Sequence, residues 1–179
     1  MVSCGMRTRQ PSQPALRLSV QFADPTHRAL LPRALLLRWV RAALRVGPEH
    51  VEPDAALHQA AEPHQITLRF VEEQEGRALN HAYRAKDYAT NVLTFDYSHW
   101  PAQADVVLCS PVVEREAQTQ HKPLLAHYAH LVVHGLLHAQ GWDHQTEGEA
   151  QEMERREVEV LQHFEIPDPY ANGSDMPAG

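Results

Sequence analysis

The eleven residues from His134 to His144, His-Gly-Leu-Leu-His-Ala-Gln-Gly-Trp-Asp-His, constrain this chain more than any other stretch. His134 and His138 are four apart, so on a helix they share one face with Cβ atoms about 5–6 Å apart. Two imidazoles at that spacing can converge on one ion, with zinc–nitrogen bonds of about 2.0–2.1 Å. A third ligand cannot come from the same straight helix. His130 lies eight residues before His138, about 12 Å along the axis at 1.5 Å per residue. The chain must reverse instead, and Gly141 supplies the positive φ that ends a helix and turns it back. His144 then falls where it can close the site. Three neutral imidazoles leave a fourth position for water, as catalytic zinc centres do.

The residues around this segment have simpler readings. His127 and His130 read as ordinary helix histidines, with His130 a neighbour of the site. The pair His130/His134 is a rival ligand set, but nothing downstream completes it. Asp143 reads as a turn residue. Gly135 costs its helix about 1 kcal/mol against alanine. It leaves room either for a bulky substrate beside the metal or for another element packed closely on the helix. Nickel and copper also suit three imidazoles.

Cysteine does not compete for this role, because Cys4 and Cys109 form no C-x-x-C pair and are too few for a disulfide scaffold. An apolar fraction of 43% with 22% charged residues is ordinary globular composition, and 179 residues suit one domain. We expect that domain over residues 15–170, with flexible termini at 1–14 and 171–179. The most apolar stretch, Leu30 to Val46, is cut by four arginines, which excludes a membrane span. No secretory signal is visible at the N-terminus, so the expected location is the cytoplasm.

Charge is unevenly placed. From Glu147 onward nine acids face Arg155 and Arg156, which accounts for the whole net charge of −7 and leaves residues 1–146 neutral. This is not the basic footprint of a tight general nucleic-acid binder.

Periodicity places strands at 15–22, 65–72, 91–95 and 105–110, and helices at 28–46, 73–83, 111–120, 123–140 and 146–164, with a loop over 47–63. Proline at the first turn and glycine past the end bracket the helix that carries the histidines. About four short strands mixed with about five helices, outside a regular βαβ series, predict an α+β domain with a small mixed sheet and the zinc site at the end of the long helix.

The ligand spacing is that of the metzincin peptidases, but Gly135 stands where those enzymes carry the glutamate that acts as general base. A second segment runs Leu79-Asn80-His81-Ala82-Tyr83-Arg84-Ala85-Lys86-Asp87-Tyr88-Ala89-Thr90-Asn91-Val92-Leu93-Thr94-Phe95. Arg84 and Lys86 sit here in a loop before a strand, a place to meet phosphate, and arginine's planar fork can bond two phosphate oxygens together.

Together these segments, with EREAQ at 114–118 and DPY at 168–170, resemble the YbeY family of bacterial rRNA maturation factors, zinc-dependent single-strand endoribonucleases. The likeness runs from about Ile66 to Tyr170. It implies that His134, His138 and His144 hold zinc, one ion per chain, and that Arg84 is the functional arginine of the Tyr-Arg motif. It also matches Asp105 to an acidic residue that opens a strand and supports the site. The implied substrate is single-stranded ribosomal RNA at the 3′ end of the small-subunit RNA, and the implied partners are the small ribosomal subunit and its associated factors. Thr94 stands for the family's usual Ser, Asp96 for its usual Pro, and Ala104 for its usual Gly. Two other readings remain: a metzincin-like peptidase with a carboxylate from elsewhere, and a non-catalytic ribosome-assembly factor with a structural metal.

Overall fold

The computed structural model describes residues 15–47 and 62–171. The expected terminal segments, Ala171 apart, and most of the expected loop at 47–63 lie outside the described residues. In chain order the elements are β1 (Leu16–Phe22), α1 (Arg33–Leu44), β2 (His64–Val71), α2 (Glu73–Arg84), β3 (Val92–His99), β4 (Ala102–Cys109), α3 (Ser110–Thr119), α4 (Leu124–Ala139) and α5 (Glu147–Gln162). This is an α+β fold.

The sheet order is β1-β2-β4-β3. β1, β2 and β4 run parallel, and β3 returns antiparallel to β4, so β3 is an edge. β-pleating sends alternate residues of β4 to opposite faces. Ala104, Val106 and Leu108 enter the main core, where α1, α4 and α5 also bury Trp39, Leu136 and Leu161. Val107 and Cys109 point the other way, into a smaller cluster with Val71, Leu93 and Val112. Leu79 of α2 packs on that second cluster.

α4 is buried nearly all round as the centre of the main layer, and its one polar stripe, His127, His130, His134 and His138, is turned to Glu116, Glu157 and the cleft. It begins after Pro123 and ends at Ala139, within a residue of the bracket set by proline and glycine.

Two expectations are corrected. The helix expected over 28–46 starts only at Arg33, because Pro32 has no N–H to donate and its ring bars the preceding residue from helical geometry. Strands β3 and β4 extend to His99 and back to Ala102, so they meet in a tight hairpin around Trp100 and Pro101 in place of a loop. A bulge between Asp96 and Ser98 breaks the alternation that a strand reading depends on.

Candidate metal and RNA-cleavage site

The end of α4 is closed by two crossed backbone bonds. Gly141 N–H donates to His138 C=O at 2.9 Å, and Trp142 N–H donates to Leu137 C=O at 3.1 Å. This is the Schellman arrangement, and Gly141 adopts the φ of +91° it requires. A side chain there would also meet the His99 ring, at 3.0 Å from its Nδ1. The reversal brings His144 back beside the helix. Asp143 is a turn residue, its carboxylate accepting from His144 N–H at 2.8 Å and from the Gln145 amide at 2.6 Å.

One ring nitrogen from each of His134, His138 and His144 lies within 4.8 Å of the others. The Nε2 atoms of His134 and His138 are 3.1 Å apart. Ligands at the corners of a tetrahedral zinc site stand about 3.3 Å apart when the bonds are about 2.0–2.1 Å. His144 Nε2 is buried with no hydrogen-bond partner. Burial, reinforced by the neighbouring His134 and His144, pushes the pKa of His138 down to about 4, so this ring is neutral near pH 7, as a ligand must be. The residues present therefore fit a metal ion.

Glu157 orients the cluster from behind. One carboxylate oxygen is 2.7 Å from His134 Nδ1, which places the proton on Nδ1 and the Nε2 lone pair towards the other two rings. The other oxygen is 2.9 Å from His130 Nε2 and accepts from the Tyr170 hydroxyl. Burial raises the Glu157 pKa, but His134 and His130 outweigh it and hold the carboxyl well below its ordinary range. Burial, followed by the Glu157 charge, pushes the Tyr170 phenol up. His130 is thus turned to a carboxylate, and the rival pair His130/His134 does not form a ligand set. His127 is likewise engaged by Glu116 at 2.8 Å.

The histidines open on a cleft of about 330 Å³ lined also by Arg84, Val92, Thr94, Asp96, His99 and Trp142. Arg84 ends α2, and Ala85 in the left-handed region (φ 55°) turns the chain away. Arg69, Arg77, Arg115, Arg155 and Arg156 are paired with carboxylates, and of the described arginines without such a partner Arg84 is the one that lines the cleft. Asp96 and His99 form a pair across the cleft at 3.0 Å. Residues three apart on a strand ordinarily face opposite ways, and the bulge between them puts both on the cleft side.

Gly135 is explained by packing. A Cβ there would stand 2.8 Å from Val106 Cγ1 and 3.0 Å from Thr94 Oγ1, so β4 and β3 fill the space. Of the two sequence readings, close packing is the one that holds, and substrate room beside the metal is not.

Lys86 and Asp105 do not line this cleft. Lys86 lies beyond Arg84, with Nζ 6.0 Å above the Tyr88 ring. Asp105 sits within β4 on the face opposite Val106, and its carboxylate accepts from the Tyr97 hydroxyl at 2.9 Å. Sequence reasoning missed Glu157, Tyr170 and the Asp96–His99 pair. A signal for Glu157 was present, since it sits with Met153, Val160 and Leu161 at i, i+4, i+7 and i+8 on the buried stripe of α5.

The family model for Endoribonuclease YbeY matches residues 28–165. The chain belongs to the YbeY family. The Endoribonuclease YbeY of Methylibium petroleiphilum is 56% identical over 164 residues, covering 91% of this chain and 99% of the relative. That of Delftia acidovorans is 53% identical, covering 87% and 96%. That of Paraburkholderia phytofirmans is 50% identical, covering 88% and 97%. In fold, the chain is similar to the solution structure of TM1509 from Thermotoga maritima, with a TM-score of 0.51 at 18% identity over 91% of this chain and 99% of that one. Among the described residues no helix is long and apolar enough to cross a membrane.

Proposed function

We propose that this YbeY-family protein is a zinc-dependent endoribonuclease that cuts single-stranded RNA in the cytoplasm. Its substrate is ribosomal RNA at the 3′ end of the small-subunit species, in maturation and quality control of the ribosome. The observation that carries the reading is the cleft itself, where three converging histidines and an arginine without a carboxylate partner face the same space.

His134, His138 and His144 would hold the ion. Zinc bound there supplies Lewis acidity, polarising a phosphoryl oxygen or lowering the pKa of a water towards about 7. Arg84 binds the scissile or adjacent phosphate through its planar fork and offsets charge that develops in the transition state. The Asp96–His99 pair is placed to move a proton. With Nε2–H donated to Asp96, His99 keeps a lone pair on Nδ1. Lys86 adds a cation along the rim beyond Arg84 for the flanking backbone, and Asp105 contributes by fixing Tyr97. Because the net negative charge lies entirely in residues 147–179, affinity for naked RNA is modest. The small subunit and its factors supply the targeting.

The test is cleavage of a single-stranded RNA bearing the small-subunit 3′ end by wild type and Arg84→Ala, purified side by side. Cleavage by wild type alone supports the reading, and equal cleavage by both overturns the role of Arg84. His138→Ala is expected to lose both zinc binding by titration and cleavage. A 2′-deoxy substitution at the cut nucleotide separates attack by water, which survives it, from attack by the RNA's own 2′-hydroxyl, which does not. The peptidase reading, which takes its carboxylate from elsewhere in the chain, predicts casein cleavage that Arg84→Ala leaves unchanged. A structural metal in an assembly factor predicts that His138→Ala lowers thermal stability in a protein that never cleaves RNA.

A further inference from the structure

Edge strand β3 has two working faces. Val92, Thr94 and Asp96 line the cleft. Leu93 and Phe95 point to the opposite side, where they join the smaller apolar cluster. Tyr97, at the bulge, reaches that same side to meet Asp105.

Four large apolar side chains are exposed among the described residues, and three of them are Tyr83, Tyr88 and Tyr97. All three fall within the fifteen-residue stretch that also carries Arg84 and most of β3. Tyr83 and Tyr97 are each 68% exposed. Neither is loose. The Tyr83 ring rests on Phe95 with centroids 4.5 Å apart, and the Tyr97 hydroxyl is held by Asp105 at 2.9 Å. Each ring is therefore fixed at one edge or face while most of its surface stays open to solvent. Beyond them the same side of the sheet is a shallow groove whose lining includes Arg17, Ser19, Gln65, Thr67 and Gln103, so that it offers hydrogen-bonding groups beside an equal share of apolar surface.

A fixed aromatic beside a cationic phosphate site suits the bases of a single strand, because every base has a face to stack and a backbone to neutralise. Arg84 lines the cleft with Thr94 and Asp96, while Tyr83 rests on Phe95 of the opposite face, so the two side chains stand on either side of edge strand β3 and a strand whose phosphate meets Arg84 can cross that edge to Tyr83. Resting on the ribonuclease reading above, we propose that single-stranded RNA flanking the cut passes over the β3 edge and stacks its bases on Tyr83 and Tyr97. The outer face of β3 is then the nucleotide-binding half of the substrate site, and its selectivity is for unpaired bases with no demand for a particular sequence. A duplex cannot use it, because its bases are already stacked on one another.

The test uses the full-length, zinc-loaded protein and a 12-nucleotide single-stranded RNA of the small-subunit 3′ end, read by cleavage kinetics and by fluorescence anisotropy. Tyr83→Ala/Tyr97→Ala is expected to raise KM and the RNA dissociation constant by about 30-fold or more, at the usual worth of two base–aromatic stacks. Its kcat should stay within about threefold, since no group at the cleft is altered. Tyr83→Phe/Tyr97→Phe keeps both rings and should recover most of the affinity. Abasic sites in the flank should weaken wild type while leaving the double alanine variant insensitive, a coupling that mere loss of folding would not produce. An unchanged KM and dissociation constant in the double alanine variant would overturn the proposal and assign the tyrosines to a protein partner. Equal weakening by abasic sites in wild type and variant would overturn it as well. If wild type neither binds nor cleaves the RNA, the ribonuclease reading falls and takes this one with it. Cleavage with no effect of the tyrosines removes the platform alone.

Discussion

Two helices end at the same cleft, and they end by different means. α4 stops at a Schellman turn in which Gly141 adopts a left-handed backbone, and the reversal delivers His144. α2 also stops at a left-handed residue, but that residue is Ala85, and the group it delivers is Arg84. Glycine enters that region freely, whereas an L-residue with a Cβ pays about 1–2 kcal/mol. The metal end is also braced from behind, since Glu157 ties His134 to His130 and Tyr170 in the core. At the arginine end the turn is tied back to α2 only at the surface, by the Arg77–Asp87 pair, and the Arg84 side chain itself has no carboxylate partner among the described residues. The difference suits the two tasks proposed above, since a metal would need three atoms held in a fixed triangle, while a phosphate-binding side chain would have to be free of competing anions until its substrate arrives.

The largest effect should come from the braced end. Glu157→Ala leaves two buried imidazoles and a phenol without their acceptor, and breaking such a buried pair costs about 3–5 kcal/mol of stability. Urea denaturation followed by circular dichroism measures it, and a loss under 1 kcal/mol would show the brace to be dispensable. Arg84→Ala should do the reverse. Its stability should stay within about 0.5 kcal/mol of wild type. Its kcat/KM on RNA should nevertheless fall about 10²- to 10³-fold, the usual worth of one group that stabilises transition-state charge. A parallel loss of melting temperature would mean that the two ends are not independent.

The two turns give the finer test. Gly141→Ala forces a Cβ into a left-handed position 3.0 Å from the His99 ring. It should cost about 1–3 kcal/mol. Zinc affinity should weaken with it as His144 shifts, which isothermal titration would detect. Ala85→Gly should have the smallest effect and the opposite sign. Relief of the left-handed strain is largely offset by the entropy of glycine in the unfolded chain, so we expect a gain of no more than about 1 kcal/mol. Cleavage should drop severalfold as Arg84 loses its fixed stem. Should Ala85→Gly prove clearly destabilising, the strain assigned to α2's end would be wrong.

The same contrast explains what was readable beforehand. The metal triad follows from spacing along one helix and a glycine stop, both local, and the structure places the three rings together. Thr94 and Gly135 are far apart in sequence, so neither reveals that glycine is needed for β3 and β4 to lie against α4. Glu157 looked like one acid among many in a negatively charged helix. Only its place on the buried stripe sets it apart from Glu152 and Glu159, which pair with arginines at the surface. The Asp96–His99 pair was hidden by the bulge, which defeats the alternation rule on which a strand reading depends. Asp105, expected to support the site, faces the other side of the sheet because a β-strand turns each successive residue over.

What the sequence determined alone is what a single helix can encode: the three-histidine spacing, the reversal at Gly141, the α+β mix, and the Tyr-Arg motif that led to the family. What the tertiary structure decided is which groups face those histidines. It set Arg84 and the Asp96–His99 pair across the cleft, placed Glu157 behind the ligands, and sent Asp105 and Tyr97 to the far face. The physical reason is range. Helix periodicity and turn chemistry act over a few residues, whereas sheet order, the strand bulge and the packing of α5 against α4 join residues tens of positions apart.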